Sequence, residues 1–148
     1  MAGRTSARRE LRVLLIEDHA VLRRSLVRLL ESEADVSAVA DGASALAQLA
    51  RERFNLILVD YRLPDSDGIQ LLQRLQLAAP DARRVLISGT PIPDLSALLE
   101  AGVAHGFLCK PAPPEAWLAL LAPPALRLSV CERTRAIASA HAFRYPWV

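Results

Sequence analysis

Glu17 and Asp18 follow one apolar run, Asp60 closes a second, Ser88, Gly89 and Thr90 close a third, and Lys110-Pro111 follows a fourth. Three carboxylates, two hydroxyls and a lysine at the ends of such runs suit one kind of chemistry. Two like charges ~4 Å apart repel by roughly 4 kcal/mol at an effective dielectric near 20, so clustered carboxylates need a cation beside them or a proton on one of them. A hard divalent cation is the natural partner. Mg2+ fits best, because it keeps waters and uses a few carboxylates plus phosphate. No His or Cys set accompanies these residues, which argues against zinc. Mg2+ beside a carboxylate, a lysine and a hydroxyl suits phosphoryl transfer. The metal and lysine neutralise charge on the phosphoryl oxygens, and the carboxylate acts as nucleophile to give an acyl phosphate. Of the 18 basic side chains only Lys110 is a lysine, so a lysine kept against an arginine bias is a functional candidate. No Walker loop or dinucleotide glycine pattern is present, so bound nucleotide is not indicated.

Each residue also has a bland reading. Asp18 could cap the helix that follows, Asp60 could begin a turn, and Ser88-Gly89-Thr90 could be an ordinary loop. What separates the readings is whether the chain gathers these residues on one edge. Short continuous apolar runs alternate with amphipathic stretches. Strands are expected at Leu11–Ile16, Val36–Ala40, Asn55–Val59, Val85–Ile87 and His105–Cys109. Helices are expected at Val21–Glu31, Gly42–Arg53, Asp67–Leu77, Asp94–Ala101 and Glu115–Leu121, the fourth closed by Gly102. Five βα units in a row imply a parallel sheet with right-handed crossovers and helices on both faces. Ligands in such α/β sheets bind beyond the carboxyl ends of the strands, which is where all the residues above fall.

The 148 residues fit one domain with a real core, and 52% apolar with 23% charged residues mark a globular chain. A net charge of +2 does not by itself suggest nucleic-acid binding. Cys109 and Cys131 match neither a metal spacing nor a disulfide framework, so a cytoplasmic setting is expected. No apolar run is long enough to span a membrane, and the basic N-terminus lacks a signal-peptide core. Residues 1–9 read as a flexible basic arm and 10–122 as the domain. Residues 123–148 read as a tail, with a short strand around Leu126, Leu128 and Val130 and a helix over Glu132–Phe143.

The strings LLIEDH, LILVDYRLPDSDG, VLISGT and GFLCKP, in this order and spacing, resemble the receiver domain of two-component response regulators, over about Leu11 to Leu121. The resemblance implies a flavodoxin-like five-stranded α/β fold with Asp60 as the phosphoacceptor. It implies Mg2+ held by Glu17, Asp18, Asp60 and the backbone carbonyl of Arg62, with Asp18 the direct ligand of the acidic pair. It also implies a Ser88 hydroxyl and a Lys110 ammonium on the phosphoryl group, Phe107 at the aromatic switch position, and a cis Lys110-Pro111 bond. Thr90 is a further candidate beside Ser88. The implied phosphodonor is a histidine kinase or a histidine phosphotransfer protein. The implied partner surface is the face of the fourth helix, fifth strand and fifth helix, with a homodimer as one form.

There are departures from the pattern. The switch residue is phenylalanine rather than tyrosine, so it has no hydroxyl to report its position. The last helix is short and bracketed by Pro113-Pro114 and Pro123-Pro124, and the tail is too small for a DNA-binding output module with its own core. An aspartate-nucleophile phosphatase would resemble its kind in having a second Asp two residues after the nucleophile, where this chain has Arg62. A docking module that never turns over phosphate is the other competing reading. The segment EAWLALL, Glu115–Leu121, is apolar nearly all round, so Trp117, Leu118, Leu120 and Leu121 are not expected to face the sheet together.

Overall fold

Runs of Val, Ile and Leu too short for a buried helix become five strands: β1 (Arg12–Ile16), β2 (Asp35–Val39), β3 (Leu56–Asp60), β4 (Arg83–Ser88) and β5 (Gly106–Cys109). The computed structural model describes residues 11–122. The expected arm, and the tail with its strand and helix, lie outside the described residues. The amphipathic segments form α1 (Ala20–Leu30), α2 (Gly42–Leu49), α3 (Gly68–Ala78), α4 (Leu95–Glu100) and α5 (Pro114–Ala119). All strand pairs are parallel, in the order β2-β1-β3-β4-β5. This is the flavodoxin-like order, whose ligand crevice opens at the switch point between β1 and β3.

The central strands are buried on both faces, which explains why β1 and β3 read as continuous apolar runs rather than alternating ones. Alternate residues feed two cores. Val13, Leu15, Leu56, Leu58, Val85 and Leu108 pack with α1 and α5. Leu14, Ile16, Ile57, Val59 and Leu86 pack with α2, α3 and α4. Burying a leucine or isoleucine of this kind contributes about 1.5–3 kcal/mol, so the rim residues stand on a stiff platform.

The register sets that rim. Ile16 pairs with Val59, so Glu17 and Asp60 lie at the next step of adjacent strands. Asp60 pairs with Ile87, and Ser88 pairs with Cys109, which places Ser88 and Lys110 one residue further along. The β5–α5 turn contains a cis Lys110-Pro111 bond, as the resemblance implied.

Two sequence expectations need correction. β4 starts at Arg83, not Val85, because Arg84 is buried inside the strand despite its charge. The apolar side chains of the last segment do find cover. Trp117, Leu120 and Leu121 are buried, and Leu118 packs against the same core. The helix ends at Ala119, and Leu120, Leu121 and Ala122 continue in a tighter turn, each N–H bonding the carbonyl three residues back. The 3.6-residue period that would have forced one leucine outward does not extend that far. Among the described residues, the exposed large apolar side chains are Val21 on α1 and Leu77 on α3.

Candidate functional site

The rim gathers Glu17, Asp18, Asp60, Ser88, Thr90 and Lys110 as expected. Glu17 and Asp60 are buried, while Asp18 is exposed beside them. One carboxylate oxygen from each of the three lies within 4.8 Å of the others. The Lys110 ammonium reaches in from β5 and donates to Glu17 Oε2 at 3.2 Å and Asp60 Oδ2 at 3.1 Å. One cation thus faces three carboxylates, and the electrostatics reflect the deficit. Burial and then the neighbouring Asp60 charge push the Glu17 carboxyl up to about 7, against the pull of the His19 N–H and Lys110. Burial works against the Lys110 charge, but Asp60 and Glu17 outweigh it and raise its pKa. An excess of carboxylate oxygens with this spacing fits a hard divalent cation.

The bland readings can now be judged. The N-cap of α1 is His19, whose Nδ1 accepts from the Leu22 N–H, so Asp18 is not spent on capping. Asp60 does make a local turn bond, with Oδ1 accepting from the Arg62 N–H at 3.1 Å, but its other oxygen belongs to Lys110. The Ser88 hydroxyl is engaged with Thr90, donating to its carbonyl at 2.7 Å and accepting its N–H at 3.0 Å. The Thr90 hydroxyl is 3.2 Å from Ser88 Oγ. Arg62 is exposed. Phe107 is half-buried on the edge strand, and strand alternation puts it on the face opposite Leu108.

Two anchors were not foreseen from sequence. Arg23, one turn into α1, donates from Nη1 to the carbonyls of Glu17 at 2.9 Å and Asp18 at 3.2 Å and holds that loop. Asp65 accepts the N–H groups of Gly42 and Ala43, each at 3.1 Å, tying the loop after Asp60 to the start of α2. Nothing in residue type marks either one, since both bonds join groups that only the fold brings together.

Comparison with known proteins agrees with this geometry. A family model described as the response regulator receiver domain matches residues 13–122. The Bordetella pertussis transcription regulator BvgA is 37% identical over 103 residues, covering 67% of this chain and 48% of BvgA. The Mycobacterium tuberculosis DNA-binding transcriptional activator DevR/DosR is 34% identical over 104 residues, covering 67% of this chain and 47% of that protein. The chain thus spans about half the length of these curated relatives. Among solved structures, a Burkholderia pseudomallei response regulator crystallised with a phosphorylated aspartic acid, a calcium ion and citrate superposes with a TM-score of 0.71. It is 27% identical and the match covers 90% of this chain and 82% of that one. The Vibrio cholerae chemotaxis protein CheY4 gives a TM-score of 0.69 at 25% identity, covering 75% and 95%. Fold and family model agree, and the chain belongs to the response regulator receiver domain family of two-component signalling.

Proposed function

We propose that this receiver domain accepts a phosphoryl group on Asp60 from a histidine kinase or a histidine phosphotransfer protein, and that the phosphorylated form changes its affinity for a partner. The observation that carries this reading is the Lys110 ammonium held between Asp60 and Glu17, with Asp18 beside them. The phosphorylated aspartic acid and calcium ion in the Burkholderia pseudomallei structure give it further support.

In the step itself, an Asp60 carboxylate oxygen attacks the phosphorus of a phosphohistidine. A P–O bond forms, the P–N bond breaks, and the imidazole leaves with the electron pair. Glu17, Asp18, Asp60 and the Arg62 carbonyl would hold Mg2+, which supplies positive charge for the phosphoryl oxygens. Lys110 turns from the Asp60 carboxylate to the new phosphoryl oxygens. The Ser88 hydroxyl exchanges its bonds to Thr90 for one to the phosphoryl group, and Phe107 moves into the space that opens. Arg62, where a phosphatase of the aspartate-nucleophile kind needs a proton donor, cannot donate usefully. This chemistry belongs in the cytoplasm, and among the described residues no helix is long and apolar enough to cross a membrane. A homodimer through the α4–β5–α5 face remains one form of partner, though α5 itself leaves no large apolar side chain exposed to argue for it.

The test is intact mass after incubation with Mg2+ and acetyl phosphate. Wild type gains one phosphoryl group and Asp60→Asn gains none. Equal phosphorylation of Asp60→Asn would refute the assignment, and a wild type that stays unmodified under kinase as well would favour a docking module.

A further inference from the structure

The segment between Asp60 and α3 is a closed turn. The Gly68 N–H donates to the Tyr61 carbonyl at 3.1 Å, and Arg62 and Asp67 form a short antiparallel bridge. A Cβ on Gly68 would lie 2.7 Å from the Tyr61 Cα, so glycine is needed for this closure. Tyr61 and Leu63 pack against the core, and the Tyr61 N–H donates to the Ile87 carbonyl at 2.8 Å, which holds the start of the turn. Asp65 adds a polar tie from its far side to α2. Its Oδ1 accepts from Gly42 N and its Oδ2 from Ala43 N, across more than twenty residues of sequence. The Ser66 hydroxyl donates to the same carboxylate at 3.2 Å. The approach is close enough that a Cβ on Gly42 would meet Ser66 Oγ at 2.9 Å.

A helix start needs its first N–H groups satisfied, but α2 already has a local cap, with Asp41 Oδ1 accepting from Ser44 N at 2.7 Å. Of the two N–H groups that Asp65 takes, Ala43 is exposed and would find water, while Gly42 is buried and needs the acceptor. Beyond that capping, Asp65 joins a helix of one βα unit to the loop of the next.

We propose that Asp65 is a positioning residue for the acidic site: by clamping the Tyr61–Asp67 turn to α2, it fixes the Arg62 backbone beside Asp60 and so sets the affinity for a divalent cation. This rests on the reading of the rim as a Mg2+ and phosphoryl site. Groups that orient metal ligands from outside the coordination shell typically contribute about 10–100-fold in affinity.

The experiment uses the full chain and titrates Mg2+ calorimetrically well below the unfolding midpoint. Asp65→Ala is expected to weaken Mg2+ binding about tenfold, and Asp65→Asn, which keeps one accepting oxygen, to fall between. Phosphorylation by acetyl phosphate should be slow at low Mg2+ and recover towards the wild-type rate at saturating Mg2+. Asp41→Ala is the control: it removes the local cap of the same helix, so it should lower stability while leaving Mg2+ affinity unchanged. If Asp65→Asn and Asp65→Ala bind Mg2+ as wild type does, or if Asp41→Ala weakens binding equally, Asp65 is only a stabilising cap and the proposal is wrong. A wild type that binds no Mg2+ would instead overturn the site reading, and this proposal with it.

Discussion

The sheet has a buried charge at each end, and the two are solved in opposite ways. At the carboxyl end, among the described residues, Lys110 is the one cation paired with the cluster of Glu17, Asp18 and Asp60, so negative charge is left over. At the amino end the Arg84 side chain is buried, and among the described residues its hydrogen bonds all go to backbone carbonyls. Nε donates to Val103 O, Nη1 to Ala79 O and Ala82 O, and Nη2 to Gly102 O, all at 3.0–3.1 Å. Ala79 closes α3, while Gly102 and Val103 follow the end of α4, so Arg84 joins the carbonyl-rich ends of two helices to β4. Burial pulls its pKa down, but its donors are matched by backbone acceptors that cannot move away. A buried charge surrounded by fixed dipoles is complete and serves the fold. A buried cluster with charge left over is incomplete, and that is what marks it as a site.

The sharpest way to break this comparison is to neutralise each end in turn. Arg84→Leu leaves the buried Ala82 carbonyl without this donor, at about 1–3 kcal/mol for an unsatisfied buried group, and strips donors from the part-buried carbonyls of Ala79, Gly102 and Val103. It should lower the urea midpoint severely, while the molecules that remain folded bind Mg2+ as wild type does. Asp60→Asn should do the reverse, leaving stability equal or higher while abolishing phosphorylation. Loss of Mg2+ affinity in Arg84→Leu with unchanged stability would show that the amino end serves the site directly.

A smaller effect comes from pH. Glu17 titrates at about 7 in the folded protein, above its ordinary 4.5, so folding favours the protonated form. The stability it contributes is present in acid and is lost as pH rises through about 7. At the amino end, His105 Nδ1 accepts the Arg84 N–H, and burial with the Arg84 and Arg83 charges lowers its pKa. Its contribution has the other sign, present above its ordinary value of 6.5 and lost as pH falls through the depressed one. The two contributions oppose each other below neutrality. In metal-free protein, Glu17→Gln should remove the loss of thermal midpoint between pH 4.5 and about 7. A pH profile unchanged by Glu17→Gln in that window would mean that the acidic cluster shares its proton differently.

The contrast also explains what could be read from sequence. Strands β1 and β3 were legible because burial on both faces requires unbroken apolar runs, and the acidic pair, Asp60 and Lys110 were legible because each directly follows such a run. Gly102 was legible as the close of α4, and it does adopt φ +71°. Arg84 was not legible. An arginine in a strand normally marks a solvated face, and its carbonyl partners come from two segments, 79–82 and 102–103. Asp65 and Arg23 escaped for the same reason, since side chain to backbone bonds over distance leave no pattern in residue type. Hydrophobicity alone overextends the last helix, because a tighter turn after Ala119 lets Leu120 and Leu121 both face inward.

The weakest effect expected at the carboxyl end concerns how long a phosphoryl group lasts there. Arg62 is two residues past Asp60, its N–H is bonded to Asp60 Oδ1, and its side chain is exposed. Among the described residues its guanidinium has no ion-pair partner, because Lys110 takes Glu17, so pairing with Glu17 does not hold it away from Asp60. A free guanidinium near an acyl phosphate can attract its oxygens and cover the path of an attacking water. An exposed charge of this kind contributes about 0–1 kcal/mol. Arg62→Ala should therefore lose phosphate about threefold faster, a barrier change of ~0.6 kcal/mol. Arg62→Lys, which keeps the charge but not the planar fork, should fall between. The measurement is decay of phosphorylated intact mass after removal of donor, with Mg2+ present. If Arg62→Ala decays at the wild-type rate or slower, the side chain does not shield the site.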